Sequence, residues 1–177
     1  MQKDRVALFV DGGNMFFAQK ANGWWIDWKL AYQFFTDNRD IYGAYYFTAT
    51  PPPGRKDQLT KYRKFRKFLI ATGYKVIDKE VRIIHDPATG ETREKGNLDI
   101  ELVFHMMAAP HQWDEAVVFG CDVDYEPVFK HLRSIGKRVK LVGRKEMTSL
   151  DLINACDEYV DLHQIRNRIE KKDEGTH

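Results

Sequence analysis

Short apolar runs alternate with amphipathic stretches along most of the chain, and this pattern predicts strands and helices in turn. Val6–Val10 is an apolar run that reads as a buried strand, and it stops at Asp11-Gly12-Gly13-Asn14, which reads as a tight turn. Residues 15–20 read as helical until Asn22-Gly23 breaks the pattern, and Asp27 is placed to cap a second helix running to Phe35. Residues 41–48 are rich in β-branched and aromatic side chains and predict the second strand; Pro51-Pro52-Pro53-Gly54 then forms a loop. Between Lys56 and Thr72, Leu59, Tyr62, Phe65, Phe68 and Leu69 recur at helical spacing, and Gly73 stops that helix. A third strand covers 74–78. Residues 80–95 read as a polar hairpin at the rim, with its turn at 86–90. A helix over 97–109 is closed by Pro110. Strand 116–119, helix 126–135, strand 138–142, helix 150–156 and a short strand at Tyr159-Val160 complete the pattern.

Strands that alternate with helices argue for a central, mainly parallel sheet with right-handed crossovers and helices on both faces. The expected fold class is therefore α/β, a single three-layer α/β/α domain over residues 1–163, followed by a charged tail from 164 to 177 that is expected to fray. No repeat or low-complexity tract divides the chain. Hydrophobic residues make up 43% of it and aromatics 13%, enough for a packed core rather than a disordered segment. The formal net charge of +2 is too small to announce a nucleic-acid partner, so what matters is where the cations cluster. Cys121 and Cys156 show no zinc-ligand spacing and are expected to be reduced thiols. No apolar run approaches the ~20 residues that cross a bilayer, and the first residues are not expected to form a leader. A cytoplasmic protein without a membrane partner is expected.

The acids carry the chemistry. In open parallel sheets, ligands bind beyond the carboxyl ends of the strands, near the point where strand order reverses. Asp11 ends the first strand, Asp122 and Asp124 follow the fourth, and Asp99 lies in the first turn of the helix after Lys95-Gly96-Asn97. If the first and fourth strands are neighbours, these carboxylates converge. Two carboxylates ~5 Å apart repel by roughly 3 kcal/mol at an effective dielectric near 20, so a cluster calls for a cation or for protonation. A hard divalent ion, Mg2+ or Mn2+, suits an all-oxygen site and would serve phosphodiester hydrolysis. Taken singly, each acid has a plainer reading: a turn residue at Asp11, a helix-dipole partner at Asp99, a cap at Asp122 or Asp124.

At these residues the sequence resembles the NYN domain family, the LabA-like branch of the PIN-like nucleases. The resemblance rests on Phe9-Val10-Asp11-Gly12-Gly13-Asn14, on Lys95-Gly96-Asn97-Leu98-Asp99-Ile100-Glu101-Leu102, on Asp122-Val123-Asp124-Tyr125-Glu126-Pro127, and on Ser149-Leu150 with residues 155–162. It implies a PIN-like (Rossmann-like) sheet and an endoribonuclease site in which Asp11, Asp99, Asp122 and Asp124 are the catalytic, metal-binding acids. It also implies that Asn14 is a polar contact to metal-bound water or phosphate. The family commonly has Ser-Gly before the Asp-x-Asp; this chain has Gly120-Cys121, so the small hydroxyl is missing. Related domains often pair, which makes a homodimer compatible with the resemblance.

Substrate contacts have several candidates. Arg55, Lys56, Lys61, Arg63, Lys64, Arg66 and Lys67 crowd one stretch against the single acid Asp57, as a phosphate-binding face or simply a solvated one. Lys95 lies close in sequence to Asp99, and Arg144 and Lys145 follow the fifth strand at the edge that carries the acids. Trp24, Trp25 and Trp28 fit the core better than a surface; one exposed at the site would favour single-stranded RNA. His105 and His131 are expected to be structural. Two other readings compete with an endoribonuclease: a non-catalytic RNA-binding or regulatory module, and a phosphatase of small esters. The latter is disfavoured because such enzymes carry their Asp-x-Asp after the first strand, where this chain has only Asp11.

Overall fold

The computed structural model describes residues 4–85, 90 and 92–172, with the backbone alone for 82–85 and 93–95. The chain runs β1 (Arg5–Asp11), α1 (Gly12–Asn22), α2 (Trp28–Thr36), β2 (Asp40–Thr50), α3 (Lys56–Thr72), β3 (Tyr74–Glu80), β4 (Arg82–His85), β5 (Thr92–Lys95), α4 (Asp99–Ala108), β6 (Glu115–Phe119), α5 (Glu126–Ser134), β7 (Arg138–Gly143), α6 (Leu150–Ala155), β8 (Glu158–Asp161) and α7 (Arg166–Ile169). Six strands form one sheet in the order β3-β2-β1-β6-β7-β8, and every pairing in it is parallel. Strand order therefore reverses between β1 and β6, which pair from Val6↔Glu115 to Val10↔Phe119. This adjacency is the one that the convergence of the acids required.

The period-2 alternation of the strands feeds two cores. Val6, Leu8 and Val10 of β1 face one layer, with Met15 and Ala18 of α1, Trp28, Ala31 and Phe35 of α2, and Leu69 of α3. Ala7 and Phe9 face the other, with Leu102 and Met106 of α4, Phe129 and Leu132 of α5, and Leu152 of α6. All five residues of β6 are buried, as befits a strand covered on both faces. Burying each large side chain such as Phe9 or Phe119 stabilises the fold by roughly 1.5–3 kcal/mol, so the centre of the sheet is its most rigid part.

Local signals act as expected at several ends. Asp27 caps α2 by accepting from the Lys29 and Leu30 amides, and α3 ends at Gly73, whose φ of 119° is costly for any residue with a side chain. β4 and β5 pair antiparallel from Arg82↔Lys95 to His85↔Thr92; residues 86–89 of the expected turn lie outside the described residues.

Two expectations change. Gly12 and Gly13 are not a turn but the first residues of α1, with Asp11 as the N-cap. The segment after Gln164 does not fray within the described residues. Leu162, Ile165 and Ile169 are buried in the first core, Ile169 accepts from the Asp27 amide at 2.8 Å, and Glu170 bridges Ile26. Their spacing of three and four is that of one helical face, so burial outweighs the charge of the intervening residues.

Candidate functional site

The carboxyl edge at the β1–β6 switch point holds the acids. Asp11 is 8% exposed. Its Oδ1 accepts the Asn14 amide at 2.9 Å, and its Oδ2 accepts the Asn14 Nδ2 at 2.7 Å and the Tyr125 hydroxyl at 2.6 Å. Gly12 lets α1 start this close to the sheet: a Cβ there would lie 2.5 Å from the Phe47 carbonyl oxygen and 2.7 Å from the Tyr46 ring. Asn14 also accepts the Cys121 amide on its Oδ1 at 2.9 Å, which ties the end of β6 to the end of β1. Both ends of its amide are thus engaged within the protein, with Asp11 on one side and the Cys121 amide on the other.

After β6 the ladder continues one step, with the Gly120 amide donating to Val142. Cys121 turns into the first core, and burial pushes its thiol above the ordinary range. Asp122 then caps a short 3-10 turn, accepting the Asp124 amide on Oδ1 at 3.0 Å. The turn delivers Tyr125, which is completely buried, beneath the acids. The β4–β5 hairpin leads from β3 back to the same edge and delivers Gly96-Asn97-Leu98 and then Asp99, the first residue of α4. Asp99 accepts the Asn97 Nδ2 at 2.6 Å on Oδ2, and its Oδ1 lies 3.3 Å from the Tyr125 hydroxyl.

Burial raises the pKa of Asp11, and the charge of Asp122 adds to the rise despite the bonds from Tyr125 and Asn14. Burial also raises that of Asp99, followed by the charges of Asp11, Asp122 and Asp124. Among the described residues none of these four acids forms an ion pair, whereas Glu115, Asp78 and Glu101 all do. Burial and the neighbouring Asp11 charge push the Tyr125 phenol far upward, so it remains a donor.

A cleft of about 1520 Å³ opens over this edge, and Asp11, Asp99 and Asp122 line it. Asp124 is exposed and does not line it, although its charge is felt at Asp99. Arg144 and Lys145 do not line it either; Arg144 Nε lies 3.1 Å from Glu146 Oε2. The Lys95 side chain lies outside the described residues. Of the basic face on α3, Lys61 lines the cleft, while Arg66 is held by Asp78 at 2.8 Å. Trp24 and Trp28 are buried as expected, but Trp25 is 50% exposed and lines the cleft. Sequence reasoning missed two contributors. Tyr125 follows the Asp-x-Asp directly, and that position is the signal that could have singled it out. Lys171 reaches the cleft only because the C-terminal segment folds back.

The acids offer hard oxygen donors with no paired cation among the described residues, which suits Mg2+ or Mn2+. Among the described residues no three acidic, His or Cys side chains are spaced as a ready-made metal cage. Mg2+ keeps several waters and needs only one or two carboxylates, so the donor set fits it without such a cage.

Strand order β3-β2-β1-β6-β7-β8 within a parallel sheet, reversing at β1 and β6, defines a three-layer α/β domain of the PIN-like class. The chain belongs to the NYN domain family, whose model matches residues 5–164. It is 38% identical over 170 residues to Low amplitude and bright protein LabA of Synechococcus elongatus, a match covering 94% of this chain and 88% of that one. The crystal structure of a protein of unknown function from Vibrio parahaemolyticus shares the fold, with a TM-score of 0.78 at 20% identity over 96% of this chain and 98% of that one. Among the described residues no helix is long and apolar enough to cross a membrane.

Proposed function

We propose that this NYN domain is a metal-dependent endoribonuclease that hydrolyses RNA phosphodiester bonds at the edge formed by Asp11, Asp99 and Asp122, with Asp124 at its rim. The observation that carries the reading is the mutual charge coupling of acids from β1, α4 and the turn after β6, with no protein cation among the described residues to offset it. Asp11, Asp99 and Asp122 would hold Mg2+ or Mn2+, and Asp124 would act through the ion's water. Bound there, the ion supplies an activated water and charge neutralisation at the phosphate. Asp11 is held in place by Asn14 and Tyr125, so its orientation is fixed before substrate arrives. Tyr125 keeps its proton and steadies Asp11 from below.

The test is cleavage of a single-stranded RNA by purified protein with Mn2+ or Mg2+. EDTA should abolish it, and Asp122→Asn should lower the rate by at least about 100-fold without unfolding the chain. Undiminished cleavage by that variant would overturn the assignment. Gly120-Cys121, where the family commonly has Ser-Gly, favours a second reading, a non-catalytic RNA-binding or regulatory module. Salt-dependent RNA binding with no turnover in any divalent metal would establish it instead.

A further inference from the structure

The cleft that ends at the carboxylates is aromatic along much of its length. Phe16 and Phe17 of α1 and Trp25 in the loop after it are 46%, 61% and 50% exposed, and all three line the cleft. They form one contiguous group: the Phe16 ring lies 5.5 Å from Phe17, nearly perpendicular, and 5.9 Å from Trp25. Lone exposed aromatics are ordinary, but a contiguous group beside an acidic site marks a binding surface. Lys61 and Lys171 line the same cleft, and among the described residues neither is paired with a carboxylate. The group is also held firmly. Trp24 and Trp28 are buried on either side of Trp25, and the Trp25 carbonyl accepts the Lys171 amide at 2.8 Å.

We propose that this surface is a base-stacking track for single-stranded RNA. Unpaired bases lie against Phe16, Phe17 and Trp25, and phosphates meet Lys61 and Lys171. The strand then continues to the carboxylates, a last step that rests on the nuclease reading above. Aromatic rings offer a face to any base, whereas a duplex keeps its base faces stacked inside itself and cannot use them. A second copy of this chain is a poorer occupant, because self-association through this face would oppose Lys61 and Lys171 with like charges.

The test uses a fluorescein-labelled oligouridine and its duplex with oligoadenylate, titrated with the full chain carrying Asp122→Asn so that cleavage does not interfere. Single strand should bind about tenfold more tightly than duplex, and Trp25→Ala and Phe17→Ala should each weaken it about fivefold or more. Trp25→Phe should keep the affinity but lose the quenching of tryptophan emission, since Trp24 and Trp28 are buried and Trp113 is inaccessible. Equal affinity for duplex, or unchanged binding by both alanine variants, overturns the proposal. So does a dimer that Phe17→Ala dissociates with no effect on RNA. If single-strand binding follows this pattern while the unsubstituted chain cleaves nothing with Mg2+ or Mn2+, the nuclease reading fails and the track stands. If cleavage occurs and Trp25→Ala leaves both binding and KM unchanged, the track fails and the nuclease stands.

Discussion

The Tyr125 hydroxyl lies 2.6 Å from Asp11 Oδ2 and 3.3 Å from Asp99 Oδ1, so one buried phenol connects the end of β1 to the start of α4. A hydroxyl has a single proton to give, and the shorter contact assigns it to Asp11. Tyr125→Phe keeps the ring that packs near Gly120 and Phe129 but removes that donor. Loss of a hydrogen bond to a buried carboxylate should cost about 1.5–3 kcal/mol in urea unfolding at neutral pH, with a parallel fall in cleavage. Unchanged cleavage would limit Tyr125 to a packing role.

Asp11 and Asp99 hold protons more tightly in the folded chain than the ordinary aspartate value of 3.8. Their contribution to stability is therefore fully present below that value and is lost as pH rises through the raised one. Asp99→Asn should make the metal-free protein more stable at neutral pH, and the advantage should vanish under acid conditions. Thermal melts of both chains across that range, with EDTA present, read this directly. Adding Mg2+ should raise the melting temperature of the unsubstituted chain and leave that of Asp99→Asn nearly unmoved.

Gly12 is needed for space. Gly12→Ala would put a methyl 2.5 Å from the Phe47 carbonyl, which is backbone and cannot swing away. Displacing α1 should cost about 1–3 kcal/mol in denaturant unfolding and disturb the Asp11 cap with it. Gly13→Ala, whose Cβ would meet Asp11 Oδ1 at an ordinary 3.4 Å, should be much milder.

At the opposite edge, Glu115 is buried between Arg39 at 2.7 Å and Arg138 at 3.2 Å. Burial opposes its charge, but the bond from Arg39 and the charges of Arg39 and Lys140 outweigh it, so its pKa is lowered. The stability it contributes is present above the ordinary glutamate value of 4.5 and is lost as pH falls through the lowered one. Glu115→Gln should cost about 2 kcal/mol at neutral pH, less than a fully buried pair because the arginines are partly exposed, and should leave RNA cleavage unchanged.

The sheet was legible because each strand is a short apolar run with a turn residue behind it. The place of Asp11 was legible for a related reason: a charge that directly follows such a run is fixed at the sheet edge. Gly12 and Gly13 misled because glycine reads as a turn by conformational freedom, whereas Gly12 serves close packing. Tyr125 stood in the sequence only as part of the Asp-x-Asp stretch; that its hydroxyl reaches Asp11 depends on how the turn folds back, which the sequence does not display. Arg144 and Lys145 sit at the right edge, yet position along a strand does not tell which way a long side chain turns, and Arg144 turns to Glu146. Trp25 could not be told from Trp24 and Trp28 by spacing, because Trp24 and Trp25 lie in a loop with no regular period and only Trp28 belongs to a helix, as the first residue of α2.

The bridge between Ile26 and Glu170, with the Lys171 amide on Trp25, makes the last described turn a clasp for a loop near the beginning of the chain. A protease cut or a fusion junction placed before Ile169 would release that clasp. It would free the indole of Trp25 to wander while every aspartate stayed where it is. The loop that carries Trp25 and the edge that carries the aspartates thus rest on separate supports, and removing the segment from Ile169 onward is expected to loosen the first and spare the second.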